Sequence, residues 1–455
     1  MRLPADGAIV ATRARVLAPE ALPATLLVQT DTRALAPGAT FLALRGERFD
    51  GHAFVARAFE SGAACAIVDD ASVVPPGQPA LVVADTLQAY LALGELARGR
   101  VRGGVVGISG STGKTTTKQF LLGLLRGAGI DATATPENEN NEVGVAAFLC
   151  GLDDGDERVA IVEMGARKFR DLDVLIAAAR PDVGLLTNVG EAHLELMGSR
   201  ERIAETKWAL PAGARRAVLN LADEASRARA PTLAAPPVWY GIDEERPPHG
   251  EPAVVIEREA AWCVAEDGTT QTHRIAVGFP GDHNRRNLAG AFAAAQLCGA
   301  EPAALAAGVV NLTLPHGRYE IVQLAGDVTL VFDAYNASLS GTLATLATFG
   351  REPARRRIAV LGSMAELGDD APAMHERIGE VAARLDLVLA GGGFRDAIAR
   401  GVEGAGGQVV RYADNDEATL WLRANVRPGD AILLKGSRRY KMEEIAHGLG
   451  AEVFA

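Results

Sequence analysis

The run Gly-Ile-Ser-Gly-Ser-Thr-Gly-Lys-Thr-Thr-Thr at residues 107–117 sets glycines, hydroxyls and a lysine between an apolar segment, GVVGIS, and a helix-forming one, KTTTKQFLLGLLRGAG. A glycine turn between a strand and a helix N-terminus presents several backbone N–H groups to one anion. Gly110, Ser111, Thr112, Gly113, Lys114, Thr115 and Thr116 therefore form a candidate phosphate cradle. Lys114 can reach the outer phosphates of a nucleotide, and Thr115 can place its hydroxyl on magnesium. The spacing is a variant of the strict phosphate-loop (P-loop) template, with Ile108 where a glycine is usual and Gly107 one residue earlier.

Further groups with chemistry follow at the ends of apolar runs. Glu163 closes VAIVEMG, and His193 follows VGLLTN in TNVGEAHLELMGS. Ligands of open α/β sheets gather at strand C-termini, and a carboxylate and an imidazole beside a triphosphate suit magnesium or manganese. Lys207, in SRERIAETK, reads by composition as a solvated helical lysine. TPENENNEVG carries Asn138, Asn140 and Asn141, a polar loop with Asx-turn character. GDHNRRNLAG places Asn284 and Asn287 three apart at a helix start, where capping is the ordinary use. HGRYE holds Arg318, whose guanidinium can pair with phosphate bidentately. FDAYNA holds Asp333, Tyr335 and Asn336, and a carboxylate at a strand end can bond ribose hydroxyls.

Apolar strands alternating with helical stretches predict an α/β protein with parallel sheets. At 455 residues the chain is too long for one core and suits roughly three domains of about 150 residues. The expected division is a smaller N-terminal α/β domain over 1–100, a central P-loop ATPase-type domain with a parallel sheet over 101–315, and a C-terminal Rossmann-like, doubly wound domain over 316–455. The run LAGGGF in the last does not satisfy G-x-G-x-x-G, so a nicotinamide fingerprint is absent. A net charge of -11 gives no general attraction to nucleic acid or anionic membrane. The N-terminus lacks a signal-peptide core, and no apolar window is long enough to span a bilayer, so a cytoplasmic protein is expected. Four scattered cysteines read as buried, reduced thiols.

GISGSTGKTTTK resembles the ATP loop of the Mur ligases, which join an amine to a carboxylate, and the resemblance runs in order from Asp31 to Ile445. It implies that Glu163 and His193 bind magnesium (one or two ions), and that Lys207 carries a carbamate that serves as an anionic magnesium ligand. It implies that Asn138, Asn140 and Asn141, with Asp31, Thr32 and Arg33, contact the uridine-diphosphate sugar. Asn284 and Asn287 would read the adenine of ATP, with Arg318, Asp333, Tyr335 and Asn336 on the rest of the nucleotide. VLGSMAELGDD and LLKGSRRYKMEEI, with Lys435, Ser437 and Arg438, resemble the D-alanyl-D-alanine-adding branch. The expected substrates are then UDP-muramoyl-tripeptide and D-alanyl-D-alanine, with an acyl phosphate between them, and the expected state is a monomer. Departures at Glu137, Trp208, Ser338, Leu339 and Ser363 keep open a related ligase using another carboxylate or amine. The third residue of the tripeptide, diaminopimelate or lysine, stays open as well.

Overall fold

The computed structural model describes residues 1–46, 49–137 and 139–453. Its framework is three α/β sheets. The first orders Arg15–Leu17, Ala80–Val82, Cys65–Val68, Thr40–Leu42 and Val28–Gln29, all parallel except the pairing of Arg15–Leu17 with Ala80–Val82. The helix Thr86–Arg98, capped by Asp85 through the Gln88 N–H, buries Leu91, Leu93 and Ala97. These side chains enter one core with Val145, Leu149 and Leu172 of the central sheet's helices. The N-terminal body is thereby fastened to the central one by apolar contact.

The nine-stranded central sheet places Val105–Ser109 between Val159–Glu163 and Val183–Leu186, all parallel. Every residue of these strands is buried, as strands covered by helices on both faces must be. Its far side differs from the expected parallel pattern: Ala253–Ile256, Ala260–Val264 and Thr270–Arg274 form an antiparallel extension. Thr270–Arg274 is mostly exposed, so no burial demand imposes crossovers there.

The six-stranded C-terminal sheet runs Glu320–Leu324, Val328–Phe332, Asp430–Lys435, Arg356–Leu361, Leu387–Ala390 and Val409–Arg411. Only Glu320–Leu324, an edge strand with alternating exposure, pairs antiparallel. This body has two cores of its own. Before residue 316, only Leu194 and Leu314 are packed against them among the described residues. The four cysteines are unpaired, as the sequence led us to expect, and Cys298 is only half-buried.

Candidate functional site

The C-terminal ends of the parallel strands of the central and C-terminal sheets face each other across one cavity of about 940 Å³. On the central side the helix Lys114–Gly127 follows directly from the glycine turn. Gly110 has φ 144° and Gly113 φ 81°, and a Cβ on Gly110 would lie 1.8 Å from Thr187 Oγ1. Both positions need glycine, Gly113 for its left-handed backbone and Gly110 for the close approach of the next strand. That strand fixes the turn: Thr187 Oγ1 donates to the Thr112 carbonyl (2.6 Å), and Thr112 N–H donates to Asn188 Oδ1 (3.1 Å). Ser111 Oγ accepts from the Gly190 N–H at 2.8 Å.

Lys114 Nζ donates to the Gly110 carbonyl at 2.8 Å and has no carboxylate partner among the described residues. Burial pulls its pKa down, Glu163 opposes the effect and Arg318 adds to it. Glu163 is fixed from three directions. Its Oε1 accepts from Thr115 Oγ1 (3.2 Å) and Asn140 Nδ2 (2.9 Å), and its N–H donates to Thr135 Oγ1 (3.0 Å). Its Oε2 lies 3.0 Å from Lys118 Nζ, but the angle is not that of a hydrogen bond and the atom is buried without one. The Glu163 carboxylate, with Oε1 beside the Thr115 hydroxyl and Oε2 ion-paired with Lys118, offers hard oxygens that fit a magnesium ion. Among the described residues no cluster of three His, Cys, Asp or Glu side chains completes a metal cage, so phosphate oxygens and water would supply the remaining ligands.

His193 lines the same cavity, and burial lowers its pKa despite the nearby Glu366. Lys207 overturns its reading as a solvated lysine: it is 1% exposed. On the helix Arg200–Gly213 it stands between Ile203 and Leu210 at i+4 and i+7, the apolar face. It makes no hydrogen bond or ion pair among the described residues. Burial, with Lys114 nearby, brings its pKa down to about 7.

From the C-terminal side, Arg318 lies over the Tyr335 ring, 4.3 Å from its centroid. Lys435 is buried, donates to the Asn336 carbonyl (2.8 Å) and lies 3.1 Å from Asp333 Oδ2. Ser437 and Arg438 also line the cavity, as do Asn284 and Asn287 from the helix Asp282–Leu297. Asn284 Nδ2 donates to the Pro280 carbonyl at 2.9 Å. Asn287 Oδ1 crowds Gly113, at 2.4 Å from where a Cβ would stand.

Other expected residues stand apart. Asn141 caps the helix Glu142–Gly151 through the Gly144 N–H and does not line the cavity. Asp31, Thr32 and Arg33 form a surface turn of the N-terminal body, also outside it, with Asp31 bonded to the Arg33 side chain and backbone. Asn138 lies outside the described residues. Sequence reasoning overlooked Asn188, which fixes the phosphate turn, and His283, which lines the cavity with Nδ1 buried and unbonded. It also passed over Lys118, although that lysine ends the quoted motif GISGSTGKTTTK.

Three family models match the chain: the Mur ligase middle domain over 108–295, the Mur ligase glutamate ligase domain over 317–438, and the Mur ligase family catalytic domain over 27–100. The UDP-N-acetylmuramoyl-tripeptide–D-alanyl-D-alanine ligase of Synechocystis sp. is 36% identical, covering 93% of this chain and 91% of its own. The chain belongs to the Mur ligase family. Among solved structures, MurF from Acinetobacter baumannii superposes with a TM-score of 0.85 at 26% identity, over 99% of both chains. MurF ligase from Thermotoga maritima, solved in complex with ADP, gives 0.78 at 28% identity over 93% of this chain and 96% of its own. A Mur ligase must bring a nucleotide triphosphate, a carboxylate and an amine together, and one cavity walled by two bodies has the extent for that.

Proposed function

We propose that the chain is an ATP-dependent ligase that joins D-alanyl-D-alanine to UDP-N-acetylmuramoyl-tripeptide, a step of peptidoglycan precursor synthesis. The observation that carries the reading is a set of three cations around the cavity that no carboxylate neutralises by a hydrogen bond. Lys114, Lys207 and Arg318 approach it without a hydrogen-bonded carboxylate among the described residues. Buried unpaired cations are costly, and a polyanionic substrate offsets that cost. The resemblance to D-alanyl-D-alanine ligases along nearly the full chain supplies the substrates.

In this reading the tripeptide's terminal carboxylate attacks the γ-phosphorus of ATP. The bond to the β–γ bridging oxygen breaks, and ADP leaves. The amine of D-alanyl-D-alanine then attacks the acyl carbon, phosphate departs with the C–O electron pair, and the amine proton passes to solvent or base. Such phosphoryl transfer depends on in-line positioning and cancellation of charge. Lys114 and the N–H groups of the glycine turn neutralise the transferred phosphoryl group. Arg318 and Lys435 face it from the other body. Thr115, Glu163 and His193 would hold magnesium, which supplies charge neutralisation when bound. Lys207, close to half neutral at pH 7 by its lowered pKa, is suited to add carbon dioxide through its amine, losing a proton and becoming a carbamate ligand. The uridine nucleotide is assigned to the Asp31–Arg33 turn and to the loop carrying Asn140. The units 1–100, 101–315 and 316–455 are proposed as the domains. No helix among the described residues is long and apolar enough to cross a membrane; a cytoplasmic monomer is the proposed working form.

The test is an ADP-release screen that crosses UDP-muramoyl-tripeptides with a panel of amines and dipeptides. Release that depends on both substrates and prefers D-alanyl-D-alanine is the expected result. Release without amine, or preference for another acceptor, refutes the assignment.

A further inference from the structure

Among the described residues, the polar contacts of the C-terminal body with the His193 segment converge on one residue, beside the apolar packing of Leu194. Glu366, in the loop after the strand Arg356–Leu361, accepts from His193 Nδ1 through Oε2 and from Arg167 Nη2 through Oε1. Its carbonyl accepts the Glu195 N–H at 3.3 Å, so backbone and side chain engage the same segment. Both ends of this clasp are non-glycine residues in the left-handed region, His193 at φ 62° and Glu366 at φ 60°. Such backbone costs roughly 1–3 kcal/mol per residue and persists where surrounding contacts enforce it.

A ring nitrogen that donates to a carboxylate fixes both the tautomer and the orientation of the imidazole. With Nδ1 occupied by Glu366, Nε2 is the ring nitrogen left without a hydrogen bond among the described residues, and His193 lines the cavity. Among the described residues, Arg351 with Asp282 also forms an ion pair between the two bodies, but neither side chain lines the cavity or touches a proposed metal ligand.

We propose that Glu366 is a positioning residue by which the C-terminal body orients His193, so that the central body's metal-binding side chains are complete only when the two bodies are closed. This rests on the assignment of His193 as a magnesium ligand. The two bodies share little apolar contact, so the clasp couples metal retention to closure.

The test uses the full-length protein with ADP, Mn²⁺ as the probe, and paramagnetic resonance to count free ion. Glu366→Ala should weaken Mn²⁺ binding by about 10- to 100-fold, the usual range for a carboxylate behind a metal-bound histidine. Glu366→Gln, whose amide oxygen can still accept from Nδ1, should recover part of the loss. Glu366→Gly relieves the left-handed backbone, so it should keep the wild-type melting temperature while binding Mn²⁺ as poorly as the alanine variant. Small-angle scattering should show both the alanine and glycine variants more extended with ADP and Mn²⁺ than the wild type. Wild-type Mn²⁺ affinity in either variant overturns the proposal, and so does a glycine variant that melts far below the wild type. If the wild-type protein binds Mn²⁺ but forms no amide, the proposed function fails while the clasp remains separately measured.

Discussion

Lys207 is the side chain whose replacement should separate stability from activity. A lysine normally titrates at 10.5, and burial with Lys114 nearby brings this one to about 7. The folded value lies below the unfolded one, so protonation favours the unfolded chain. The penalty is full below about pH 7, shrinks as pH rises, and vanishes above the ordinary lysine value. At roughly 1.4 kcal/mol per tenfold, it amounts to about 4 kcal/mol at pH 7 and about 1 kcal/mol near pH 10. Lys207→Met fills nearly the same volume between Ile203 and Leu210 and removes the charge. The variant should therefore be more stable than the wild type by up to about 4 kcal/mol at pH 7, with most of the gain gone by pH 10. It should also be inactive, and Lys207→Ala should be inactive but partly rescued by short carboxylates. Urea unfolding in CO₂-free buffer measures the stability, and Trp208, Trp239 and Trp262 report on the central body. A Lys207→Met variant less stable than the wild type at pH 7, or a gain that does not shrink with pH, refutes the reasoning.

Gly110→Ala puts a Cβ 1.8 Å from Thr187 Oγ1 and 3.0 Å from the Asn188 nitrogen. It should cost about 1–3 kcal/mol from overpacking and abolish ATP binding by calorimetry; binding at wild-type strength would exclude the phosphate cradle. Lys118→Met leaves the carbonyls of Thr135 and Glu137 without their donor, each bonded at 2.9 Å in the wild type. The KM for the uridine nucleotide should rise about tenfold, matching roughly 1.4 kcal/mol, with ATP affinity measured without magnesium nearly unchanged, since Lys118 also stands 3.0 Å from Glu163 Oε2; equal loss of both would contradict a loop-positioning role. Arg318→Lys keeps the charge but loses the flat contact with Tyr335 and the bidentate fork. The KM for ATP should rise about tenfold, and an unchanged value places Arg318 off the nucleotide.

What could be read from the chain was what local pattern encodes. The glycine turn and its flanking strand and helix are contiguous, so spacing alone exposed them, and Glu163 was found because it ends an apolar run. The burial of Lys207 was also legible, since Ile203, Lys207 and Leu210 repeat at helical spacing, but the charged residues around them outweighed that signal. The clasp was not legible. His193 and Glu366 are 173 residues apart, and nothing local to either encodes their meeting. The antiparallel extension of the central sheet escaped for a different reason: its outer strand is mostly polar and exposed, so it carries little of the apolar run that marks a buried strand.

The five departures from the family pattern weigh differently once their surroundings are known. Ser363 is fully buried; its Oγ accepts from the Phe394 N–H at 2.9 Å, and its carbonyl accepts from Ser437 N–H at 3.2 Å. It ties the strand end to two neighbouring loops and does not line the cavity. Trp208 packs among Leu219, Trp239 and Val255, on the helix that buries Lys207. Leu339 opens the helix Leu339–Phe349 and packs into the C-terminal core. Only Ser338 and Glu137 line the cavity, and Ser338 Oγ is engaged in capping that helix through the Gly341 N–H. Glu137 stands on the loop with Asn140, the side assigned to the carboxylate donor, and its carbonyl is held by Lys118. Of the five, Ser338 alone lines the cavity from the C-terminal body, and its hydroxyl is already engaged in the helix cap. The departures therefore argue more for internal repacking than for a different acceptor, and D-alanyl-D-alanine remains the amine that the cavity wall gives least reason to replace.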